Sequence, residues 1–307
     1  MAYSDLYRKQ LVLLIKMLPF VAQEKCFALK GGTAINLFIR NLPRLSIDID
    51  LTYLPVKERK QSLEEIDHAL KKIANAILLS DTTIHINQSA PSSQKEITKL
   101  VVRTKDGVQI KIEVTPVLRG CVYEPVLLSV SQQVEQVFGF AEIQVVSFAD
   151  LYAGKIIAAL DRQHPRDLFD VHQLLNNEGI SDDLRTAIII YLISHEHSPH
   201  SLLNPVRCDI TQDFSQNFMG MTDADISLEM LLQVREQLIA EVVKKMPHHH
   251  KDFLRSFYRR QPNWILLGLQ EAQHLPAVKW REMNLDKSGK GTCEALLSKL
   301  EEVIGRE

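Results

Sequence analysis

The sequence predicts an α+β fold, in which a mixed-sheet lobe at residues 1–146 precedes a mainly helical lobe at residues 147–307. The chain has 307 residues, which is enough for two lobes of ordinary domain size. Before residue 146, short apolar or alternating stretches typical of strands recur along the chain. Beyond it, apolar residues recur at helical spacing, first at residues 148–160 and then at 166–175.

The first predicted element is a helix over residues 4–18, because its apolar residues are spaced three or four apart. We expect this helix to end before Pro19, since proline has no backbone N–H to donate. Residues 26–30 are predicted to form a short apolar strand, which enters a turn at the two glycines that follow. Thr33 is then predicted to be the N-cap of a short helix.

A second strand is predicted at residues 46–53, where apolar and acidic residues alternate. Asp48 and Asp50 are therefore expected on one face of this strand, and a long helix follows at residues 57–79. Two carboxylates on one strand face can hold hard divalent cations through oxygen ligands, as phosphoryl-transfer sites do. The pattern therefore predicts a metal site at Asp48 and Asp50.

Two further strands, at residues 97–104 and 108–115, flank a Lys-Asp-Gly hairpin signal. In the second of them the isoleucines face one side, and Glu113 faces the other. A third carboxylate is usually needed to activate the attacking hydroxyl in such sites. Glu113 is predicted to supply it by strand alternation.

The turn at Gly31, Gly32 and Thr33 lies sixteen to eighteen residues before the paired aspartates. Glycines let backbone amides approach a phosphate closely, and the helix that follows presents its positive end. Each part alone has a plain structural alternative, because an Asp-Ile-Asp strand can be a polar sheet face and a Gly-Gly pair is mostly a turn. Together, in this order, they favour a nucleotide site.

The composition is that of a globular protein, with 45% hydrophobic and 24% charged residues. A net charge of −2 argues against a chain that binds polyanions over its whole surface. The N-terminal sequence lacks a signal peptide or membrane span, so we expect a cytoplasmic protein without membrane contact. The four cysteines form no CxxC pair and are expected to be reduced and mostly buried.

Several of these motifs together resemble the AbiEii/AbiGii toxins, nucleotidyltransferases of the DNA polymerase beta superfamily. The resemblance spans roughly residues 25 to 205, and its first two blocks are the most specific. The matching segments are Leu29-Lys30-Gly31-Gly32-Thr33-Ala34, Arg44-Leu45-Ser46-Ile47-Asp48-Ile49-Asp50-Leu51, Asp150-Leu151-Tyr152-Ala153-Gly154-Lys155, Arg162 with Arg166-Asp167-Leu168-Phe169-Asp170, and Leu203-Asn204-Pro205.

The resemblance implies the toxin of a bacterial toxin–antitoxin or phage-defence pair, with a cognate antitoxin encoded nearby. Similar toxins transfer a nucleotide from a nucleoside triphosphate, in some members to the 3′ end of tRNA. The implied cofactor is Mg²⁺, held as two ions, which agrees with carboxylate and phosphate ligands. The implied roles are phosphate binding by Gly31, Gly32 and Thr33, support by Ser46, metal binding by Asp48 and Asp50, triphosphate contact by Lys155, and an acid at Asp167.

For Lys155 and Asp167, the residues themselves also allow a simple structural role in place of the role that the resemblance implies. Lys155 could be an ordinary surface lysine, although the small residues Ala153 and Gly154 before it would let a nucleotide come close. Asp167 could simply favour the start of a helix after Pro165. Asp170, one turn on, could pair with Arg166.

A basic stretch between residues 244 and 260 could grip an RNA backbone, and its aromatic residues could stack on a base. The same aromatics also fit a buried helix face. His248-His249-His250 and His195-Glu196-His197 lack the spacing of known metal motifs, and solvated surface or loop is the plainer interpretation. The candidate RNA contacts are Lys244, Lys245, Lys251, Arg255, Arg259 and Arg260.

Three functions remain open at this level. The first is nucleotide transfer to RNA, which inhibits translation and growth. The second is transfer to a small molecule, such as an aminoglycoside, or to a protein, which needs the same aspartates but a different acceptor pocket. The third is a catalytically silent protein that acts by binding a partner. The presence of Asp48, Asp50, Lys155 and Asp167 together argues against the third.

Overall fold

The computed structural model describes residues 5–92 and 95–305. The chain forms two compact units. The first ends at Ser147 and also includes Gly220–Ala224, and the second contains the remaining residues from Phe148 onward. The segment Gly220–Ala224 joins the first unit through two hydrogen bonds. Leu45 donates to the carbonyl of Met221 at 2.8 Å, and the Thr222 hydroxyl donates to the carbonyl of Pro43 at 2.7 Å.

The first unit is built on one seven-stranded mixed sheet. Its strands are β1 (Phe27–Lys30), β2 (Asp48–Tyr53), β3 (His85–Ser89), β4 (Lys99–Arg103), β5 (Gln109–Val114), β6 (Val126–Ser129) and β7 (Glu142–Val145). They lie in the order β3-β4-β5-β2-β1-β7-β6. The pairs β2–β5 and β1–β7 are parallel, and the other neighbours are antiparallel. The predicted α+β fold with a mixed sheet is therefore confirmed.

Helices of the first unit cover the apolar side chains of this sheet. They are α1 (Asp5–Val21), α2 (Gly31–Ala34), which continues into a π-helical turn (Ile35–Ile39), α3 (Arg59–Ser80) and α4 (Gln132–Phe138). Helix α1 buries Leu11, Leu14 and Leu18 completely, which is the helical spacing seen in the sequence. Each such leucine stabilises the fold by about 1.5–3 kcal/mol when it is removed from water.

Two local predictions about this region are wrong. Helix α1 continues past Pro19 to Val21, because proline near the C-terminus removes only its own N–H bond and its ring lies at the exposed surface. The N-cap position of α2 is occupied by Lys30, which makes no side-chain cap. Thr33 lies inside the helix, since the positive φ of Gly31 lets the helix begin immediately after the strand.

The second unit is mainly helical, as the sequence predicted. Its helices are α5 (Phe148–Arg162), α6 (Pro165–Asn177), α7 (Asp182–Ser194), α8 (Pro199–Leu203), α9 (Thr211–Asn217), α10 (Leu228–Lys244), α11 (His248–Tyr258), α12 (Pro276–Lys287) and α13 (Lys290–Ile304). Two 3₁₀ segments, Trp264–Leu267 and Gln270–His274, separate α11 from α12. Within the described ranges, no helix combines the length and apolar character needed to cross a membrane.

The cysteines differ from expectation. Cys293 is buried and Cys208 is exposed, whereas Cys26 and Cys121 are intermediate. The prediction of mostly buried thiols is therefore wrong, because three of the four lie near the ends of elements or in loops rather than on the inner face of a helix.

Candidate active site

A row of four charged side chains crosses the middle of the sheet in the first unit. Strand pairing places Lys30 opposite Asp50, Asp50 opposite Glu113, and Glu113 opposite Lys99. Residues that are opposite each other on neighbouring strands point to the same face. The Nζ atom of Lys99 lies 3.2 Å from Oε2 of Glu113. The row therefore brings two carboxylates together between two lysines.

Asp48 lies on the same face of β2 as Asp50, two residues earlier. Both aspartates are partly exposed, whereas Ile49 and Leu51 between and after them are fully buried. This is the alternation that the sequence predicted for a half-buried strand. Asp48, Asp50 and Glu113 thus form one acidic patch on one sheet face, with half of the Glu113 side chain (48%) exposed.

The glycine turn lies directly against this patch. Gly31 has φ +74°, and a Cβ atom there would lie 2.6 Å from Oδ2 of Asp50. A Cβ atom at Gly32 would lie 2.8 Å from both the Arg44 guanidinium and the Ser46 hydroxyl. Any side chain at either position would displace these polar groups. Glycine at both positions lets the turn approach Asp50 and Ser46 without moving them, and the positive φ of Gly31 favours glycine there as well.

The side chain of Thr33 is fully buried, and it holds the start of β2. Its hydroxyl donates to the backbone carbonyl of Asp48 at 2.5 Å and lies 3.1 Å from the Ser46 hydroxyl. The resemblance implies that Thr33 binds phosphate, and the structure shows that its hydroxyl is engaged within the fold. The Thr33 side chain therefore fixes the start of β2.

Lys30 and Lys99 are the charged neighbours that sequence reasoning did not select as site residues. Lys30 donates to the Thr115 hydroxyl at 2.8 Å, and burial lowers the pKa of its ammonium while Asp50 and Glu113 oppose that shift. Lys30 immediately precedes the glycines in the motif, so its position could have indicated it. Lys99 could be found only from the strand register, which the sequence alone does not fix.

A second charged cluster lies in the helical unit, around Lys155 of α5. The Lys155 Nζ atom is 2.7 Å from Oδ1 of Asp167 and 3.0 Å from Oδ2 of Asp170, both on α6. All three side chains are at most 8% exposed. Arg162, which is largely exposed, donates to the other oxygen of Asp167 at 2.9 Å. Asp170, for which the sequence analysis considered Arg166 as a partner, contacts Lys155.

Two details of this helical region differ from the sequence interpretation. Gly154 lies against the ring of Tyr191 on α7, since a Cβ atom there would be 3.4 Å from that ring. Gly154 therefore faces the packed interface between α5 and α7. Asp167 lies in the first turn of α6 after Pro165, which is the simpler structural role considered for it. It also pairs with Lys155.

The predicted RNA-contact stretch is partly internal. Arg255 is 4% exposed, and it donates to Asp252 and to the carbonyl of Gly305, each at 2.8 Å. Arg260 donates to the carbonyl of Ser288. Both arginines therefore stabilise the fold, and the prediction of RNA contact at Arg255 is wrong because the side chain is buried.

The remaining basic residues of this stretch lie toward the surface. Lys244, Lys245 and Arg259 are exposed, and Lys251 is intermediate. Lys245 forms an ion pair with Glu241 one turn earlier, at 2.5 Å. The aromatic residues proposed for base stacking are Phe253, Phe257 and Tyr258, which are all buried. The plain alternative, an aromatic helix face packed in the core, is therefore the correct one.

The comparisons with known proteins agree with this picture. The family profile described as "Nucleotidyl transferase AbiEii toxin, Type IV TA system" matches residues 12–280. No match to this chain is found among curated protein sequences. The chain is similar in fold to MenT4, a nucleotidyltransferase toxin from Mycobacterium tuberculosis H37Rv. The two share 15% sequence identity with a TM-score of 0.57, and the match covers 98% of this chain and 95% of that chain. Since the profile covers most of its length, this chain belongs to the AbiEii nucleotidyltransferase toxin family.

Proposed function

We propose that this toxin transfers a nucleotide from a nucleoside triphosphate to an RNA acceptor, the 3′ end of tRNA, in a Mg²⁺-dependent reaction that stops translation and growth. The observation that carries the proposal is the acidic patch of Asp48, Asp50 and Glu113 beside the glycine turn. A tRNA acceptor places the reaction in the cytoplasm. Its physiological setting is a toxin–antitoxin or phage-defence system with a cognate antitoxin encoded nearby.

The donor set of the patch fits Mg²⁺. Asp48 and Asp50 offer hard oxygen ligands on a single face, partly open to solvent, and Mg²⁺ binds through one or two carboxylates together with substrate phosphates. We assign both ions of the proposed two-ion site to these aspartates. When bound, the metal neutralises the charge that develops on the triphosphate.

The protein's own residues then supply binding and positioning. The backbone at Gly31 and Gly32 lies at the start of α2, where N–H groups without helical partners can bind a phosphate. Thr33 and Ser46 fix the start of β2, so that Asp48 is presented in one orientation. Glu113, which is aligned with Asp50, accepts the proton of the attacking hydroxyl. The hydroxyl oxygen bonds to the α-phosphorus, and the bond to the β-phosphate breaks with release of pyrophosphate.

Lys155 and Asp167 are proposed to act in the same reaction. An ammonium group has three donors, and Asp167 and Asp170 occupy two of them. The third donor of Lys155 is assigned to a triphosphate oxygen. Asp167 holds the lysine in this orientation, so the acid implied by the resemblance acts here through Lys155.

The proposed RNA contacts are now Lys244, Lys245, Lys251 and Arg259, because Arg255 and Arg260 are used within the fold. Lysine and arginine at a surface bind the phosphate backbone without sequence preference. Their contribution to RNA binding should therefore weaken as the salt concentration rises.

The experiment incubates the purified chain with total RNA, Mg²⁺ and each labelled nucleoside triphosphate in turn, beside the Asp48→Ala variant. We expect label in a tRNA-sized band with the wild-type chain and none with the variant. A parallel reaction replaces RNA with aminoglycosides or with a protein lysate. Label that enters those acceptors and no RNA would replace the RNA proposal with a small-molecule or protein acceptor.

A further inference from the structure

Three potential metal ligands meet in the second unit, in a cluster outside the proposed active site. They are Asp161 near the end of α5, His195 directly after α7, and His197 before α8. One ligand atom from each residue lies within 4.8 Å of the others. Nδ1 of His197 is 2.7 Å from Oδ1 of Asp161, and Nε2 of His195 is 3.9 Å from Oδ2 of Asp161. No metal role is predicted for His195 and His197 from the sequence, because their spacing is not that of a known metal motif and Asp161 is distant from them in sequence.

The segment that carries the two histidines is held by Arg281 of α12. This guanidinium donates to the backbone carbonyls of Ile193, His195 and His197, the last at 2.7 Å. In addition, the backbone N–H of His197 donates to Nδ1 of His195 at 3.1 Å. These contacts hold the backbone from His195 to His197 in place, so that binding of an ion needs only a reorientation of side chains.

The ligand atoms of this cluster favour a divalent ion that is intermediate between hard and soft. Two imidazoles and one carboxylate are the ligands of open zinc sites, in which water takes the fourth position. Zn–N and Zn–O distances of about 2.0–2.2 Å place tetrahedral ligand atoms roughly 3.4 Å apart. An ion would therefore widen the 2.7 Å contact between His197 and Asp161 and shorten the 3.9 Å separation between His195 and Asp161. Both histidines and Asp161 are 20–57% exposed, so an ion can enter from solvent.

We propose that Asp161, His195 and His197 bind one Zn²⁺ ion. The ion takes the position now spanned by the His197–Asp161 contact. Binding at Nε2 of His195 places that ring's proton on Nδ1, so the 3.1 Å contact from the His197 N–H opens on binding.

The bound ion joins the end of α5 to the end of α7. The residue after Asp161 is Arg162, which contacts Asp167 in the cluster around Lys155. A metal that fixes Asp161 therefore fixes the helix end from which Arg162 extends. This inference does not depend on the proposed function, since the ion is held by residues other than Asp48 and Asp50.

The test is titration of Zn²⁺ into the full chain without a histidine tag, followed by calorimetry, with Co²⁺ as a spectroscopic probe of tetrahedral coordination. An Asp48→Asn/Asp50→Asn background and excess Mg²⁺ remove zinc binding at the first unit. We expect one ion per chain. His197→Ala and Asp161→Asn each remove a direct ligand, so the loss of affinity should exceed the roughly 10- to 100-fold that loss of an outer-shell partner costs.

The matched control is His248→Ala/His249→Ala, which should leave binding unchanged. It removes two adjacent exposed histidines that belong to no potential metal cluster within residues 5–92 and 95–305. Thermal unfolding shows whether each variant folds without metal. Zn²⁺ should raise Tm in the background chain and in the control but not in Asp161→Asn. Absence of saturable binding, or binding that persists undiminished in His197→Ala and Asp161→Asn, would overturn the proposal.

Discussion

The two charged clusters of this protein contain the same kinds of residue but differ in their access to water. On the sheet, Asp48, Asp50 and Glu113 are partly exposed and share one face with lysines at both ends of the row. In the helical unit, Asp167 and Asp170 are 5% and 1% exposed and both contact Lys155. The first arrangement can take a cation or a phosphate from solvent. In the second arrangement, the buried charged groups already form ion pairs with one another.

Substitutions in the two clusters should therefore have different consequences. Neutralising a charge in the acidic patch should remove chemistry and leave the fold, because these side chains lie at a surface. Neutralising a charge around Lys155 should weaken the fold as well, because it leaves buried charge without its counter-ion.

The largest effect is expected for Asp48→Asn. Nucleotide transfer should fall by at least about 1000-fold, which is about 4 kcal/mol of transition-state stabilisation, because one metal ligand is lost. The free energy of unfolding in urea should change by less than about 1 kcal/mol. Transfer that is unaffected, or a loss of activity explained fully by unfolding, would contradict the assignment.

The second effect is a loss of stability in Lys155→Met. Removal of the ammonium leaves two buried carboxylates, so the free energy of unfolding should fall by about 3–5 kcal/mol. The matched control is Lys244→Met, an exposed lysine, for which a change within about 0.5 kcal/mol is expected. If urea denaturation gives the two variants the same stability, the cluster around Lys155 is not a stabilising one.

Burial of a titratable group should also make the stability of the helical unit depend on pH, and the group concerned is His250. Burial, with the nearby positive groups His249 and Arg185, lowers the pKa of His250 from 6.5 to about 4. Below pH 6.5 the unfolded chain therefore binds a proton that the folded chain does not. The resulting destabilisation grows between pH 6.5 and pH 4 and reaches about 3 kcal/mol.

The measurement compares urea denaturation of the wild type and His250→Gln at pH 7, 5.5 and 4.5. The stability of the wild type should fall more steeply with acid than that of the variant, since the variant lacks this titrating group. Parallel curves would show that His250 is protonated in the folded chain over this range.

The smallest effects are expected for two glycine substitutions. They distinguish the cost of backbone strain from the effect of the close contact between the glycine turn and Asp50. Gly31→Ala and Gly107→Ala both place alanine at positive φ, at a cost of about 1–2 kcal/mol in stability. A Cβ atom at Gly107 contacts nothing within 4 Å, whereas one at Gly31 would displace the Asp50 carboxylate. Nucleotide transfer corrected for the folded fraction should therefore fall about 10-fold in Gly31→Ala only. Equal activity of the two variants would mean that the position of Asp50 does not matter.

Strand alternation and local motif order were sufficient to predict the acidic patch. Asp48 and Asp50 are separated by one buried residue, so period two puts them on one face. Glu113 followed from the same rule, but its alignment with Asp50 depends on the β2–β5 register, which joins residues some sixty positions apart in sequence. Lys99 was missed for the same reason.

The features that sequence reasoning missed depend on which face of an element is buried. Strand β3 is almost entirely exposed at the sheet edge, so it carries no apolar pattern to reveal it. The sequence suggests that Arg255 is a surface cation, yet it lies in the core, where Asp252 and the carbonyl of Gly305 accept hydrogen bonds from it. The periodicity of a short segment does not indicate contacts with residues that are far away in the sequence.

The central claim, that the acidic patch on the sheet is the metal site of the enzyme, is tested most directly by Mn²⁺ binding followed by electron paramagnetic resonance. Mn²⁺ serves as the probe for Mg²⁺, and the nucleoside triphosphate is present at saturation. The Asp48→Asn/Asp50→Asn chain is compared with the wild type, with Asp106→Asn in the exposed hairpin as the control. We expect protein-bound Mn²⁺ in the wild type and the control, and its loss in the double variant. Equal binding in all three chains would contradict the account.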